Sequence, residues 1–320
     1  MTIRILVTGS RGFIGGSVGR FASRAGHQVL GIARSSQPEA DWPGRYGSAD
    51  VLHTPLAEMI AKFSPDVLLH GAGTASVGAS FATPLEDLRA TVMTWANVLE
   101  GVRHSGVRPV ILFPSSAAVY GNPATLPITE DAPIAPVSPY GFHKAACEWI
   151  AREYAECYGL NILICRLFSV FGPRQRRLLV WELFEQISGP EHVIHLQGTG
   201  QETRDYLFSE DLADVLLKIA THPACQVPRG TIQVLNVASG QETGVLDLAQ
   251  QLGTLLASNK PLACRGTDRP GDPRRWAADV SGLSALLPDW QPRSLAAGLK
   301  QCLASWQATP PSDGAASHNR

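Results

Sequence analysis

The chain predicts an α/β fold, a doubly wound parallel sheet with a smaller mixed α/β C-terminal domain after it. Three observations point there. Short apolar runs without alternation recur through the first half, as strands covered on both faces require. Helical segments separate those runs, which is the βαβ rhythm of a parallel sheet. The first run closes on a glycine loop that opens a helix. At 320 residues and 44% hydrophobic, the chain has material for about two domains.

The elements follow in order. Residues 3–8 form the first strand and 13–25 the first helix. Strands at 29–33, 67–70 and 110–113 come next, with a long helix at 85–104. A second long helix covers 140–158, and 162–166 is another strand. After about Gly172 the pieces shorten, and Pro, Gly and Arg become frequent. Residues 193–196, 232–236, 245–257 and 295–306 are the clearer elements there. This divides the chain into a first domain over 1–172, to which later segments return, and a second over 173–306. The tail 307–320 is rich in Pro, Ser, Ala and Gly and reads as disordered.

Composition excludes several classes. A net charge of −1 lacks the basic stripe of a nucleic-acid binder. No apolar run reaches membrane-spanning length, and the start does not read as a signal peptide. The six cysteines show no CxxC or metal-ligand spacing, so we expect no metal, free thiols and a cytoplasmic protein. Only 5 of 27 basic residues are lysine; the other 22 are arginine, which suits bidentate phosphate contacts.

The loop Thr8-Gly9-Ser10-Arg11-Gly12-Phe13-Ile14-Gly15 has glycines where a dinucleotide site needs them. One makes the strand-to-helix turn, one admits the pyrophosphate, and one lets helix pack on sheet. The free N–H groups of the helix start then face phosphate. NAD-selecting sites carry an acid at the end of strand 2. Here that end reads Ala33-Arg34-Ser35-Ser36, with no carboxylate. Arg34, Ser35 and Arg11 are therefore expected at a 2′-phosphate, which favours NADP(H) with NAD(H) as alternative. Asp50, beside Val51, is expected to accept from the adenine amino group, and Ala72 lies in a small-residue loop that backs the cofactor.

Tyr140 and Lys144 stand one helical turn apart and share a face. A phenol is a poor base at neutral pH unless a neighbouring ammonium stabilises the phenolate. Ser116, at the carboxyl end of a strand, can share the hydrogen bond on the reacting oxygen.

With these motifs the chain resembles the extended short-chain dehydrogenase/reductases that act on nucleotide sugars, over residues 2 to about 305. The match rests on the glycine loop, on Ser115-Ser116-Ala117-Ala118-Val119-Tyr120-Gly121 and on Ser138-Pro139-Tyr140-Gly141-Phe142-His143-Lys144. Arg166-Leu167-Phe168-Ser169-Val170-Phe171-Gly172-Pro173-Arg174-Gln175, the stretch from Gly198 to Tyr206, and Arg269-Pro270-Gly271-Asp272 complete it. The resemblance implies a Rossmann domain, an enzyme, and Tyr140, Lys144 and Ser116 as its catalytic triad. It implies that Arg204 and Arg269 grip the nucleotide diphosphate and that Ser116 and Ser169 line the sugar site. Many relatives carry asparagine at the positions of Ser169 and Thr91. Relatives also form homodimers through the two long helices, whose apolar residues here exceed one stripe.

Ala117 and Ala118 stand where dehydrating relatives carry an Asp-Glu pair, so second acid–base steps have no residue to perform them. What remains is hydride and proton exchange at C4. Arg11 and Arg34 favour an NADPH-dependent 4-keto-6-deoxy sugar nucleotide reductase; the Ser-Ala-Ala stretch keeps an NAD-dependent 4-epimerase as alternative. A non-catalytic binding member would show a broken Tyr140/Lys144 pair, which is intact. His143, about 100° from Lys144 around the helix, reads as a surface or core histidine. Relatives carry a histidine packed near the cofactor loop at a place similar to His70, and the resemblance puts residues 174–177 and Trp181 where relatives admit the sugar nucleotide.

Overall fold

The computed structural model describes residues 2–225, 230–267 and 271–308. Its strands are β1 (Arg4–Thr8), β2 (Gln28–Ala33), β3 (Arg45–Ser48), β4 (Val67–His70), β5 (Val110–Ser116) and β6 (Asn161–Leu167). They continue as β7 (Ser169–Phe171), β8 (Ile194–Leu196), β9 (Thr203–Phe208), β10 (Ile232–Val237), β11 (Glu242–Gly244) and β12 (Leu262–Cys264).

Seven strands form one sheet in the order β10-β6-β5-β4-β1-β2-β3, parallel throughout. The order reverses at β1 and β4, so their carboxyl ends open the crevice where such sheets take ligands. Both faces are covered, which is why β1, β4 and β6 are apolar without alternation. Helices Phe13–Arg24 and Ser209–Thr221 pack together on one face, around Val18, Ala22, Leu212 and Leu216. Helices Ala57–Phe63, Thr94–Ser105 and Pro139–Tyr158 cover the other, around Ile60, Trp95 and Cys147. β7, β9 and β11 form a second sheet and β8 and β12 a two-stranded third. Phe171, Trp181, Phe184 and Trp306 centre a separate core there.

The structure corrects three readings. The helix expected over 85–104 is three pieces: Pro84–Leu88, a π turn over Arg89–Met93, and Thr94–Ser105. Apolar periodicity does not register one extra residue per turn. Thr94 marks the break, its Oγ1 bonding back to the carbonyls of Ala90 and Thr91. The strand at 232–236 belongs to the large sheet, beside β6, rather than to the smaller unit. Gln307 and Ala308, assigned to the tail, continue the helix Leu295–Ala308; the remainder of the tail lies outside the described residues. Among the described residues no helix is long and apolar enough to cross a membrane, and no acidic, histidine and cysteine cluster could hold a metal.

Candidate active site

β1 ends at Thr8, and the chain turns through Gly9 at φ +67°, a left-handed conformation that glycine adopts without strain. A Cβ on Gly9 would stand 2.4 Å from the Gly71 carbonyl, and one on Gly15 would stand 2.5 Å from the Gly9 carbonyl. Both glycines are therefore required by backbone contact. Gly12 begins the helix Phe13–Arg24 with no side-chain cap, so the first-turn amides face outward. Phe13 and Ile14 are half-buried in that first turn. A seat with no Cβ in it and uncapped amides along it fits a dinucleotide pyrophosphate. The Gly71–Gly73 loop closes its far side, where the Ala72 amide donates to Thr8 Oγ1 at 3.4 Å.

Beneath this loop His70 is fully enclosed, its ring beside Trp95 and Phe113 and its Nδ1 3.0 Å from Thr8 Oγ1. Burial, with the Lys144 charge, lowers its pKa to about 3, so it is a neutral imidazole at physiological pH.

The helix Pro139–Tyr158 starts at Ser138, whose hydroxyl accepts from the Gly141 amide, with Pro139 in its first turn. Ser80 Oγ accepts from the Tyr140 amide at 3.1 Å. Lys144 is buried and donates to the Pro114 carbonyl at 2.9 Å, its ammonium 5.9 Å from the Tyr140 ring centre. Pro114 lies in β5, two residues before Ser116, so one anchor ties the Tyr140/Lys144 face to the strand end that carries Ser116. Ser116 Oγ accepts from the Ala118 amide at 3.2 Å. The structure thus brings Tyr140, Lys144 and Ser116 onto adjoining elements beside the crevice.

At the end of β2, Arg11 Nη1 donates to Ser35 Oγ at 2.5 Å and to the Gln37 carbonyl at 2.9 Å. Arg34 is exposed beside them, and its charge reaches Asp50. The Asp50 carboxylate receives the Leu52 amide and the His53 ring, which holds its pKa below the ordinary range. Val51 is buried, and its carbonyl accepts from Asn97.

The other expected residues lie in the second half. Ser169 opens β7, paired with Tyr206 of β9. Arg204 is buried, bonded to Asp272 and placed 5.5 Å over the Trp276 ring. Arg269 lies outside the described residues. Arg176 stacks at 4.6 Å on Trp181.

Two arrangements were not read from the sequence. Glu148 accepts from Ser115 and forms a two-pronged ion pair with Arg166, whose Nη1 also reaches Tyr120 Oη. The signal was present: Glu148 is one turn beyond Lys144 on the same face. His143 is largely buried and paired with Asp87, 56 residues away, which no local pattern could show.

A family model described as the NAD dependent epimerase/dehydratase family matches residues 5–238. The chain belongs to that family. A UDP-glucose 4-epimerase of Mycolicibacterium smegmatis is 31% identical over 93% of this chain and 96% of its own length. A GDP-6-deoxy-D-mannose reductase of Pseudomonas aeruginosa is 27% identical over 92% and 99%. Among solved structures, MoeE5 in complex with UDP-glucose and NAD superposes with a TM-score of 0.84 at 26% identity, over 95% of this chain and 99% of that one. As a member of the epimerase/dehydratase family, the chain is an enzyme of the extended short-chain dehydrogenase/reductase type, and its cofactor is a nicotinamide dinucleotide.

Proposed function

We propose that the protein is an NADPH-dependent reductase of nucleotide-diphosphate 4-keto-6-deoxy sugars. The observation that carries this is the end of β2, where Arg11 and Ser35 meet, Arg34 stands beside them, and no acid occupies the ribose position. Two guanidinium groups and a hydroxyl suit a 2′-phosphate. The Pseudomonas aeruginosa reductase, matched over nearly its whole length, supports the reading.

The nicotinamide, when bound, supplies the hydride. Tyr140 delivers a proton to the C4 oxygen, and Lys144, fixed on Pro114, stabilises the phenolate left behind. Ser116 shares the hydrogen bond on that oxygen. Residues 1–172 with their returning segments hold the dinucleotide, through Gly9, Gly12, Gly15 and the first helical turn. Residues 173–306 hold mainly the nucleotide sugar, with Arg204 and Arg269 as its diphosphate contacts, and Ser169 lines the sugar site from just before them. Leu85, Met93, Phe142 and Trp149 are exposed on the helices of one sheet face, the surface we assign to a homodimer in the cytoplasm.

A second reading is an NAD-dependent 4-epimerase, favoured by the Mycolicibacterium smegmatis relative and by Ala117 and Ala118. Cofactor exchange separates the two. The reductase binds NADPH reversibly and in preference to NADH, and Arg34→Asp removes the preference. Tightly held NAD that copurifies and resists exchange overturns the reductase in favour of the epimerase. Tyr140→Phe keeps dinucleotide binding in either case and lowers turnover by about a thousandfold.

A further inference from the structure

The Asp87 carboxylate is 3% exposed, a costly place for a charge without partners. Both of its oxygens are engaged. Oδ1 accepts from Thr74 Oγ1, and Oδ2 bonds His143 Nδ1. Thr74 Oγ1 lies a further 3.0 Å from Thr91 Oγ1, in the π turn. Each end of this chain of bonds sits on a part of the active site. His143 occupies the same helical turn as Tyr140, three residues on. Thr74 directly follows Gly71-Ala72-Gly73, the loop whose backbone abuts Gly9 and bonds Thr8. A second contact runs parallel to the first, from the Tyr140 amide to the buried Ser80 hydroxyl.

We propose that His143, acting through Asp87 and Thr74, is a positioning residue that fixes the Tyr140 turn against the loop backing the dinucleotide. It touches neither cofactor nor substrate. An apolar residue at 143 would leave a buried carboxylate with one partner fewer, and the helix start and the loop would move independently. Thr74 matters as much as His143, although nothing in its own sequence neighbourhood marks it. The part of the proposal that concerns catalysis rests on Tyr140 as the proton donor; the mechanical coupling does not.

Two measurements separate these parts. Hydrogen–deuterium exchange on the unliganded protein requires no substrate. Thr74→Val is expected to speed exchange in peptides covering 139–144, and His143→Leu in peptides covering 71–76, each by several-fold. Effects confined to the substituted segment overturn the coupling. Steady-state kinetics follow, with the nicotinamide nucleotide and nucleotide sugar that the wild type turns over. His143→Leu and Thr74→Val are expected to lower kcat about tenfold or more with KM for the nucleotide sugar unchanged, as loss of near-attack geometry does. His143→Asn, whose Nδ2 takes the place of Nδ1 and can still donate to Asp87, is expected to recover most of kcat. Unchanged kcat in Thr74→Val, or failure of His143→Asn to recover it, overturns the positioning role. If His143→Leu does not fold, Thr74→Val and His143→Asn carry both tests.

Discussion

Around Gly9 the chain meets itself backbone to backbone; around Arg204 it meets itself charge to charge. On the glycine side, close approach leaves no space for a side chain, and His70, buried beneath the loop, is neutral at physiological pH. On the other side Arg204 is bonded to Asp272, and Arg275 to Glu242 at 2.8 Å. The first arrangement is set before any ligand arrives. The second is already compensated, so an anionic ligand there competes with a carboxylate for the same guanidinium. Such a site is tuned by exchanging partners, and few of its residues are demanded by geometry.

Acid sharpens the contrast most. His70 stays neutral in the fold down to about pH 3 but takes up a proton below 6.5 when unfolded. Its stabilising contribution is therefore complete above pH 6.5 and is lost as pH falls toward 3. Between pH 6.5 and 4 the loss amounts to about 3 kcal/mol. Urea unfolding across that range is expected to show the slope in the wild type and a flatter one in His70→Gln. Glu242 behaves otherwise: Arg275 holds its pKa below 4.5, so its contribution persists above that value and fades only below it. Equal slopes for His70→Gln and wild type break the picture of a dry glycine side.

Gly9→Ala comes next. A Cβ at φ +67° facing the Gly71 carbonyl costs about 1–3 kcal/mol, so dinucleotide affinity measured by fluorescence falls roughly ten- to a hundredfold. Unchanged affinity would mean that the Gly71 loop yields. The smallest effect is expected at the charged side. Arg204→Ala raises KM for the nucleotide sugar about tenfold, the loss of one charged hydrogen bond, and leaves dinucleotide affinity alone. A change in dinucleotide affinity in this variant would show that the two sides are not separable.

The same contrast decides what the sequence reveals. β4 was read to the residue because four buried apolar and aromatic positions between polar turns admit one reading. The glycine loop and the Tyr140/Lys144 pair were legible because their meaning lies within a few residues. β3 was missed: Arg45-Tyr46-Gly47-Ser48 is half-exposed at the sheet edge and carries no apolar signal. The π turn was missed because its register shift hides inside an apolar helix. The Arg204–Asp272 and His143–Asp87 pairs join residues 68 and 56 positions apart, and only the fold selects among the acids available. Glu148 differs, since its helical spacing from Lys144 was on view and went unused.

The place of β10 has a consequence for synthesis. β6 is complete at Leu167, but the strand that covers its outer edge begins only at Ile232. At about 5–20 residues per second, a nascent chain spends roughly 3–13 s with a long apolar strand unpaired along one side. Unpaired strand edges recruit other strands. Two of the three strands of the second sheet, β7 and β9, are synthesised during that interval. The larger sheet is thus sealed partway through synthesis of the smaller unit, whose β11, β12 and the helix carrying Trp306 follow only after β10.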